Sequence, residues 1–345
     1  MRWNPNGDDS RPTIDDYLAE TGHEEEAESY RMSTYAWNPT LTPDKKLRVT
    51  KSSLNTHGWC PEQYYIEKFK GIRSGDNPDT IRGKNVHDMM EWFWANFTKE
   101  QEERVLELVH VEDNMAEARE VFFLSFPTPP EPYIYGEDEQ IAQWAEWQFQ
   151  RLLHTGGKQW RPVGVEANIQ AFRYVEVDGE AVPIHINGFI DTLFADDDGF
   201  ALMELKTGKY KARSKVPSMR KEMAFYKMML EHSKHAEFLP ITHWGWEFPG
   251  GGIKDGEGAK IYYEPTEEKW AAMKSVEKAL QRLVKAHIDM DFPPSPWLGR
   301  KKDDETLEDM LARNGMKCSW CDYREHCSFW SLTDEFLDKI MEEER

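Results

Sequence analysis

The chain has 345 residues and a formal net charge of −20, and it contains 14 Trp, 17 Phe and 13 Tyr. So many large apolar side chains can form a substantial core, which excludes general disorder. The acidic balance excludes a surface that coats nucleic acid indiscriminately, although it leaves room for a local basic groove. The sequence has no secretory signal after Met1 and no apolar segment of membrane-spanning length, so a cytoplasmic location is expected.

The N-terminal segment, residues 1–47, is polar and acidic and predicts a loosely ordered tail. We expect the ordered fold to begin at residues 49–54, where Ser52 or Ser53 can cap a helix. Pro61 ends this helix and begins a second one, because proline suits a first helical turn and not an interior.

The next predicted helix is long and opens at Gly83. Val86, Met89 and Phe93 repeat at helical spacing and predict its buried face. His87 lies beside that face, where a histidine taken alone is more often a packed core residue than a metal ligand.

After this helix, residues 98–125 are predicted to continue as one charged helix and residues 137–154 to form another, and the pattern then changes to a period of two. The Pro-rich stretch 126–132 interrupts the helical part. Asp178-Gly179 and the turn at 196–199 are typical of connections between antiparallel strands. The predicted strands are 164–177, 180–194, 200–206, 242–248 and 260–264, and the later helices are 219–231 and 266–288.

Three chemically active side chains fall on the predicted strands before and after the second turn. Asp191 and Glu204 lie on adjacent antiparallel strands, so their carboxylates can approach each other. Glu204 and Lys206 are two residues apart and point to the same face. Carboxylates on strands suit a hard cation such as Mg²⁺ or Mn²⁺. The alternative is a surface ion pair, which the hydrophobic flanking residues disfavour because burying unused charges is costly.

A basic run follows these strands in an otherwise acidic protein. Between 206 and 221 the chain carries seven cations and no acidic residue, namely Lys206, Lys209, Lys211, Arg213, Lys215, Arg220 and Lys221. Such a run is usually a solvated loop, but its position beside the carboxylates favours a phosphate-binding segment.

The four cysteines are arranged as one plus three: Cys60 lies far from Cys318, Cys321 and Cys327. In a reducing compartment they are expected to bind metal rather than form disulfides. The Cys-x2-Cys-x5-Cys spacing suits an iron–sulfur cluster better than two zinc knuckles, while zinc and free thiols remain alternatives.

Taken together, these motifs resemble the PD-(D/E)XK nuclease superfamily in its RecB-like branch. The resemblance rests on Gly188-Phe189-Ile190-Asp191 followed by Glu204-Leu205-Lys206-Thr207-Gly208. Gly83 with His87 resembles the upstream Gly-x3-His element, and Glu222 with Tyr226 stands where that branch has Gln-x3-Tyr. The cysteines resemble the [4Fe–4S] set of AddB-type nuclease domains and CRISPR-associated RecB-like exonucleases.

The resemblance implies a role for each of these residues. Asp191, Glu204, His87 and the Leu205 carbonyl would bind Mg²⁺ or Mn²⁺, and Lys206 would orient the attacking water or stabilise the phosphate. The [4Fe–4S] cluster would be a structural staple. The residues expected to contact DNA are Tyr226, Glu222, Lys209, Lys211, Arg213, Lys215, Arg220 and Lys221.

The predicted fold class is α/β: a restriction-endonuclease-like mixed β-sheet flanked by helices, with helical N- and C-terminal arms joined by a metal cluster. The predicted segments are a tail (1–47), a helical arm (48–160), a nuclease core (161–290) and a cysteine segment (291–345). The expected function is a metal-dependent DNA exonuclease, virus-encoded or prokaryotic, that acts on single strands or free ends in recombination, repair, replication or CRISPR adaptation. Because the sequence has no Walker motif, we expect either pre-opened DNA as the substrate or a helicase, recombinase or CRISPR integrase as a partner. The alternatives are a catalytically silent DNA- or partner-binding module and a redox-sensing metalloprotein.

Overall fold

The structure is a computed structural model that describes residues 46–75, 78–124, 137–207, 210–212, 215–249, 252–254, 261–266, 270–294 and 321–328. The described residues fall into two compact units. The first unit comprises 46–74, 171–187 and the described residues from 277 onward, and the second comprises those within 75–170 and 188–276. Nearly all of the predicted tail, the Pro-rich stretch 126–132 and Cys318 lie outside the described residues.

Apart from short 3₁₀ turns, the described elements run in the order of one short strand, six helices, four strands, one helix, three strands and a last helix. The helices are α1 (Lys51–Trp59), α2 (Pro61–Lys68), α3 (Pro78–Asn96), α4 (Lys99–His110), α5 (Met115–Phe123), α6 (Glu137–Thr155), α7 (Val216–Glu231) and α8 (Trp270–Asp289). The strands are β1 (Leu47–Val49), β2 (Pro162–Val177), β3 (Glu180–Asp196), β4 (Gly199–Leu205), β5 (Tyr210–Ala212), β6 (Ile241–Glu247), β7 (Gly252–Lys254) and β8 (Ile261–Pro265).

The strands form a mixed sheet, as the sequence predicted. In the second unit β3 pairs antiparallel with β4, β4 pairs parallel with β6, and β6 pairs antiparallel with β8. Parallel neighbours need a crossover connection, and the chain between β4 and β6 contains α7. In the first unit β1 pairs parallel with β3, and β2 also pairs with β3. β1 and the small β5–β7 pair were not predicted, because three-residue strands carry too little periodicity to be recognised.

The predicted helices differ from the observed ones in where they begin and, in one case, in number. Thr50 caps α1 instead of Ser52 or Ser53: the Ser53 N–H donates to Thr50 Oγ1 (3.1 Å), and the Thr50 N–H donates to Ser53 Oγ (2.8 Å). This reciprocal pair satisfies two N–H groups that the helix itself cannot bond. α3 begins at Pro78, five residues before Gly83. The charged stretch after α3 forms two helices, α4 and α5, rather than one.

The helices of the second unit enclose an aromatic core. α3 contributes the buried Phe93, and the buried Phe97 follows directly after the helix. Their rings stack at 5.0 Å, and Phe122 of α5 packs against both. Trp144 of α6 meets Phe93 edge to face at 5.6 Å. These contacts confirm the predicted buried face of α3 and anchor the helix that carries His87. None of the described helices is both long and apolar enough to cross a membrane.

In the first unit α2 and α8 meet at a buried histidine. The Tyr64 hydroxyl and His287 Nε2 are 2.9 Å apart, and Phe292 stacks on Tyr64 at 5.9 Å between ring centroids. Burial, with a smaller repulsion from His57, lowers the pKa of His287 from 6.5 to about 3. The folded chain therefore holds this imidazole neutral where an exposed histidine would be protonated.

This histidine predicts a loss of stability in mild acid. Between pH 6.5 and about 3 the unfolded chain binds one proton more at His287 than the folded chain, so lowering the pH through this window lowers the free energy of unfolding. We expect His287 to contribute about 3 kcal/mol of loss between pH 6.5 and 4. Urea unfolding at several pH values gives the free energy of unfolding as a function of pH. Between pH 6.5 and 4 this free energy should fall more steeply for the wild type than for His287→Leu. Equal pH dependences would show that His287 is not held neutral in the folded chain.

Candidate active site

Two buried carboxylates lie side by side on β3 and β4. The register pairs Thr192 with Met203, so Asp191 and Glu204 occupy the next opposed positions. Asp191 is 7% exposed and Glu204 is 4% exposed. The Leu205 N–H donates to Asp191 Oδ2 at 2.8 Å, which fixes the Asp191 carboxylate against β4. The adjacency that the sequence predicted for these strands is therefore present.

His87 of α3 and Glu166 of β2 complete a compact group of ligand atoms with Asp191. His87 Nδ1 lies 3.1 Å from Glu166 Oε1 and 3.8 Å from Asp191 Oδ2. One ligand atom from each residue lies within 4.8 Å of the others. Within the described part of the chain, Glu204 is not a member of this group. His87 therefore lies beside Asp191, and its role as a metal ligand stays a prediction.

The electrostatics of His87 reflect these neighbours. Burial by itself lowers the pKa of His87, but Asp191 and then Glu166 and Glu204 outweigh that effect and raise the pKa to about 9. The histidine therefore carries a proton at neutral pH when no cation is bound. A metal ion that uses its ring nitrogen must displace that proton.

Glu166 was not predicted as a site residue. It is one of several polar residues in a strand with a period of two, and nothing in that pattern distinguishes it. Its backbone has a φ of +44°, in the left-handed region that few residues other than glycine adopt. Such a conformation persists only where the surroundings enforce it, and it is frequent at functional sites. No local sequence signal marked this residue.

The group fits a divalent cation by its donor chemistry. Two carboxylates and one imidazole supply hard oxygen and borderline nitrogen ligands, a mixture that suits Mn²⁺ at least as well as Mg²⁺. Burial of Asp191 and Glu204 also leaves charge that a cation would neutralise. The Leu205 carbonyl stays a predicted additional ligand.

Lys206 lies between two carboxylates beside this group. Its ammonium donates to Glu204 Oε1 at 2.6 Å and to Glu222 Oε2 of α7 at 2.9 Å. Glu204 and Lys206 thus share a face of the sheet edge, as their spacing predicted. Both lysine partners are acidic, so the ammonium is held in the site rather than extended into solvent.

Glycines allow the surrounding elements to come close. A Cβ on Gly83 would lie 3.2 Å from Thr207 Oγ1, so glycine permits α3 to pack tightly at the end of β4. Gly83 and His87 are one helical turn apart and share that face. A Cβ on Gly188 would lie 3.4 Å from Met229 and 3.6 Å from Tyr226, so β3 packs closely against α7. The Gly-x3-His spacing is therefore explained by the packing that brings His87 to the carboxylates.

Tyr226 is only 3% exposed and packs beside Gly188. Burial, then the negative charges of Glu204 and Asp191, raises the pKa of its hydroxyl well above the ordinary value. Its predicted contact with DNA remains a prediction, and its burial favours a role in holding α7 against the strands.

The basic run is only partly described. Lys209, Lys211 and Arg213 lie outside the residues whose side chains the structure describes. Arg220 forms a two-point ion pair with Glu264 of β8, at 2.7 and 2.6 Å. Lys215 is exposed where α7 begins, and Lys221 is half-buried. DNA contact by this run stays a prediction.

Three of the four cysteines, Cys60, Cys321 and Cys327, lie among the described residues of the first unit. Cys60 separates α1 from α2, and within the described residues Cys60, Cys321 and Cys327 are half-buried and form no disulfide. Cys327 Sγ donates to Glu62 Oε2 at 3.1 Å, and the Ser328 N–H donates to Glu62 Oε1 at 2.7 Å. Among the residues described, these thiols do not come within 4.8 Å of one another as a group. A preformed tetrahedral zinc site, with sulfurs roughly 4 Å apart, would do so.

The candidate cation site predicts a measurable role for Glu166. Glu166→Gln keeps the shape of the side chain but removes a negative ligand and weakens the hold on His87. We expect Mn²⁺ affinity, measured by calorimetry, to fall about 10- to 100-fold. Glu176→Gln, on the same strand β2, is the matched control and should bind as the wild type does. Equal affinities of the wild type and the Glu166 variant would exclude Glu166 from the site.

Comparison with known proteins identifies the family to which this chain is similar. A family model described as the PD-(D/E)XK nuclease superfamily matches residues 48–328. No curated protein matches the chain significantly. Two of the solved structures that match the chain are each 11% identical to it in sequence. SSO0001 has a TM-score of 0.33, with 92% of this chain and 96% of that one covered. A candidate exonuclease from Eubacterium rectale has a TM-score of 0.38, with 85% and 97% covered.

Proposed function

Because the chain belongs to the PD-(D/E)XK nuclease superfamily, we propose that it is a RecB-like, metal-dependent exonuclease that hydrolyses DNA from free ends or in single strands. The observation that carries the proposal is the convergence of His87, Glu166 and Asp191 beside the Glu204–Lys206 pair. This arrangement places a cation site and an ammonium next to each other. Both can stabilise the negative charge that develops on the phosphate in the transition state.

Each residue then has a separate task. Asp191, Glu166 and His87 would hold a divalent ion, which supplies an activated water and neutralises charge on the phosphate. Glu204, buried beside them, orients the Lys206 ammonium through the 2.6 Å hydrogen bond. Lys206 donates to the reacting phosphate or to the attacking water, and so stabilises charge that appears in the transition state.

The positive charges that follow the site in the sequence indicate where the DNA strand would bind. The chain as a whole is strongly acidic, so phosphate recognition must be local. The segment from Lys209 to Lys221 follows the site directly in sequence and brings six cations without an acidic residue before Glu222. A narrow basic track of this kind binds single strands with little sequence preference. Such a nuclease would act on pre-opened DNA or with a helicase, recombinase or CRISPR integrase as its partner.

We also propose that Cys60, Cys318, Cys321 and Cys327 bind a [4Fe–4S] cluster as a structural staple. The spacing of the last three cysteines supports it. Anaerobic purification should yield a brown protein with four irons per chain. Cys318→Ala should lose the colour and the stability together. A colourless wild type with one zinc per chain would show that the cysteines bind zinc and not a cluster.

A nuclease assay tests the main proposal. End-labelled linear single strands, linear duplexes and circular forms of both are incubated with Mn²⁺ or Mg²⁺, with and without EDTA. We expect cleavage of linear single strands with Mn²⁺, none with EDTA, and intact circles. Cleavage of circles would mean endonucleolytic attack. DNA binding without cleavage of any substrate would establish the catalytically silent binding module instead.

A further inference from the structure

Lys206 is held by two carboxylates that come from different elements. Its ammonium lies 2.6 Å from Glu204 Oε1 on β4 and 2.9 Å from Glu222 Oε2 on α7. The Lys206 side chain is 18% exposed and that of Glu222 is 19% exposed, so water reaches this bridge only in part. Glu222 is therefore part of the same hydrogen-bonded unit as the predicted catalytic lysine.

One carboxylate alone would leave the lysine poorly defined. Its four-carbon chain has many rotamers, and a single contact at the ammonium does not select one of them. Glu204 also contributes negative charge around His87. A second acceptor on a packed helix fixes the ammonium from the other side. Charge-assisted hydrogen bonds are about twice as strong as neutral ones, so a glutamate holds the ammonium better than an amide would.

We propose that Glu222 is a positioning residue that holds the Lys206 ammonium in its working orientation and does not itself contact DNA. The proposal rests on the nuclease function proposed above and deepens it. It also accounts for an acidic residue in a basic segment. The negative charge of Glu222 is directed at Lys206, so it is not presented to a phosphate of the substrate.

The position of Glu222 on α7 supports this role. Tyr226 lies one helical turn further on, shares its face and is buried against β3 beside Gly188. That packing fixes the helix, and through it the carboxylate of Glu222. A residue meant to follow a mobile DNA strand would not need such a rigid support.

Steady-state kinetics separate positioning from DNA contact. We expect Glu222→Ala to lower kcat about 100-fold with little change in KM, because a misplaced catalytic group costs turnover rather than binding. Glu222→Gln keeps a carbonyl acceptor and should recover about tenfold of that loss. Glu231→Ala is the matched control, since Glu231 pairs with Lys227 on the same helix at 2.6 Å. Its kcat should equal that of the wild type.

A second measurement does not depend on cleavage. Acetic anhydride labels lysine amines, and mass spectrometry gives the rate at Lys206 relative to Lys215. We expect labelling of Lys206 to rise about tenfold in Glu222→Ala, because release from an ionic hydrogen bond frees the amine, and to stay unchanged in Glu231→Ala. An unchanged rate in Glu222→Ala would overturn the proposal even if the wild type cut no DNA.

The kinetic outcomes are equally decisive. If the wild type cleaves DNA and both Glu222 variants change KM alone, Glu222 contacts the substrate and the positioning role is wrong. If the wild type cleaves nothing, the proposed function fails while the labelling rates still decide whether Glu222 holds Lys206. Unaltered thermal unfolding of Glu222→Ala shows that a loss of kcat is not a loss of fold.

Discussion

Asp191→Asn should reduce DNA cleavage at least 1,000-fold, which corresponds to about 4 kcal/mol of transition-state stabilisation. The change removes the negative charge from the most buried member of the candidate cation site. It keeps an oxygen that can accept the hydrogen bond from the Leu205 N–H, now 2.8 Å from Asp191 Oδ2. The fold should therefore survive while the cation is lost. Initial cleavage rates and Mn²⁺ calorimetry on the same preparation measure both effects.

Asp196→Asn is the control for this experiment. Asp196 lies on the same strand, but its carboxylate interacts with His243 at 2.8 Å and with the Tyr263 hydroxyl at 3.2 Å. Losing that charge should leave cleavage and Mn²⁺ affinity unchanged. If Asp191→Asn cuts as fast as the wild type, the proposed site is not where the reaction occurs.

Lys206→Met should lower kcat about 100- to 1,000-fold while Mn²⁺ affinity stays within a few fold, because the ammonium acts on charge that develops in the transition state. The variant leaves Glu204 and Glu222 without their shared cation, so thermal unfolding must be measured beside activity. Lys206→Arg should recover only part of the rate, since a planar guanidinium does not occupy the point position of an ammonium.

Lys227→Met controls for the loss of one positive charge. Lys227 lies on α7 and pairs with Glu231 at the solvent-facing side of that helix, with side chains 19% and 33% exposed. Its removal should alter neither kcat nor Mn²⁺ affinity. A Lys206→Met enzyme with full kcat would show that the 2.6 Å contact with Glu204 is only a structural ion pair.

The site on β3 and β4 could be predicted because its geometry is local. A strong turn at 196–199 fixes which residues face each other, so Asp191 and Glu204 become neighbours in the antiparallel register. A spacing of two residues puts Glu204 and Lys206 on one face. His87 was more distant in sequence, and its role came from a resemblance to a family motif rather than from periodicity.

Residues that depend on non-local packing were not predictable in the same way. Glu166 is 25 positions before Asp191 and reaches the site through a left-handed backbone conformation that a period-two pattern does not indicate. The role of Gly83 was misread as the start of a helix. A Cβ at this position would lie 3.2 Å from Thr207 Oγ1, a closeness that arises only once α3 packs at the end of β4.

The sequence by itself determined the mixed α/β character, the strand pair with its Asp, Glu and Lys, and the family. These features follow from hydrophobic periodicity, turn chemistry and short motifs, all of which act over a few residues. Tertiary structure alone decided that Glu166 joins His87 and Asp191, that Tyr226 is buried, and that Glu222 faces Lys206 at 2.9 Å. Those contacts join separate elements, and their geometry depends on how the helices pack against the sheet, which no local pattern encodes.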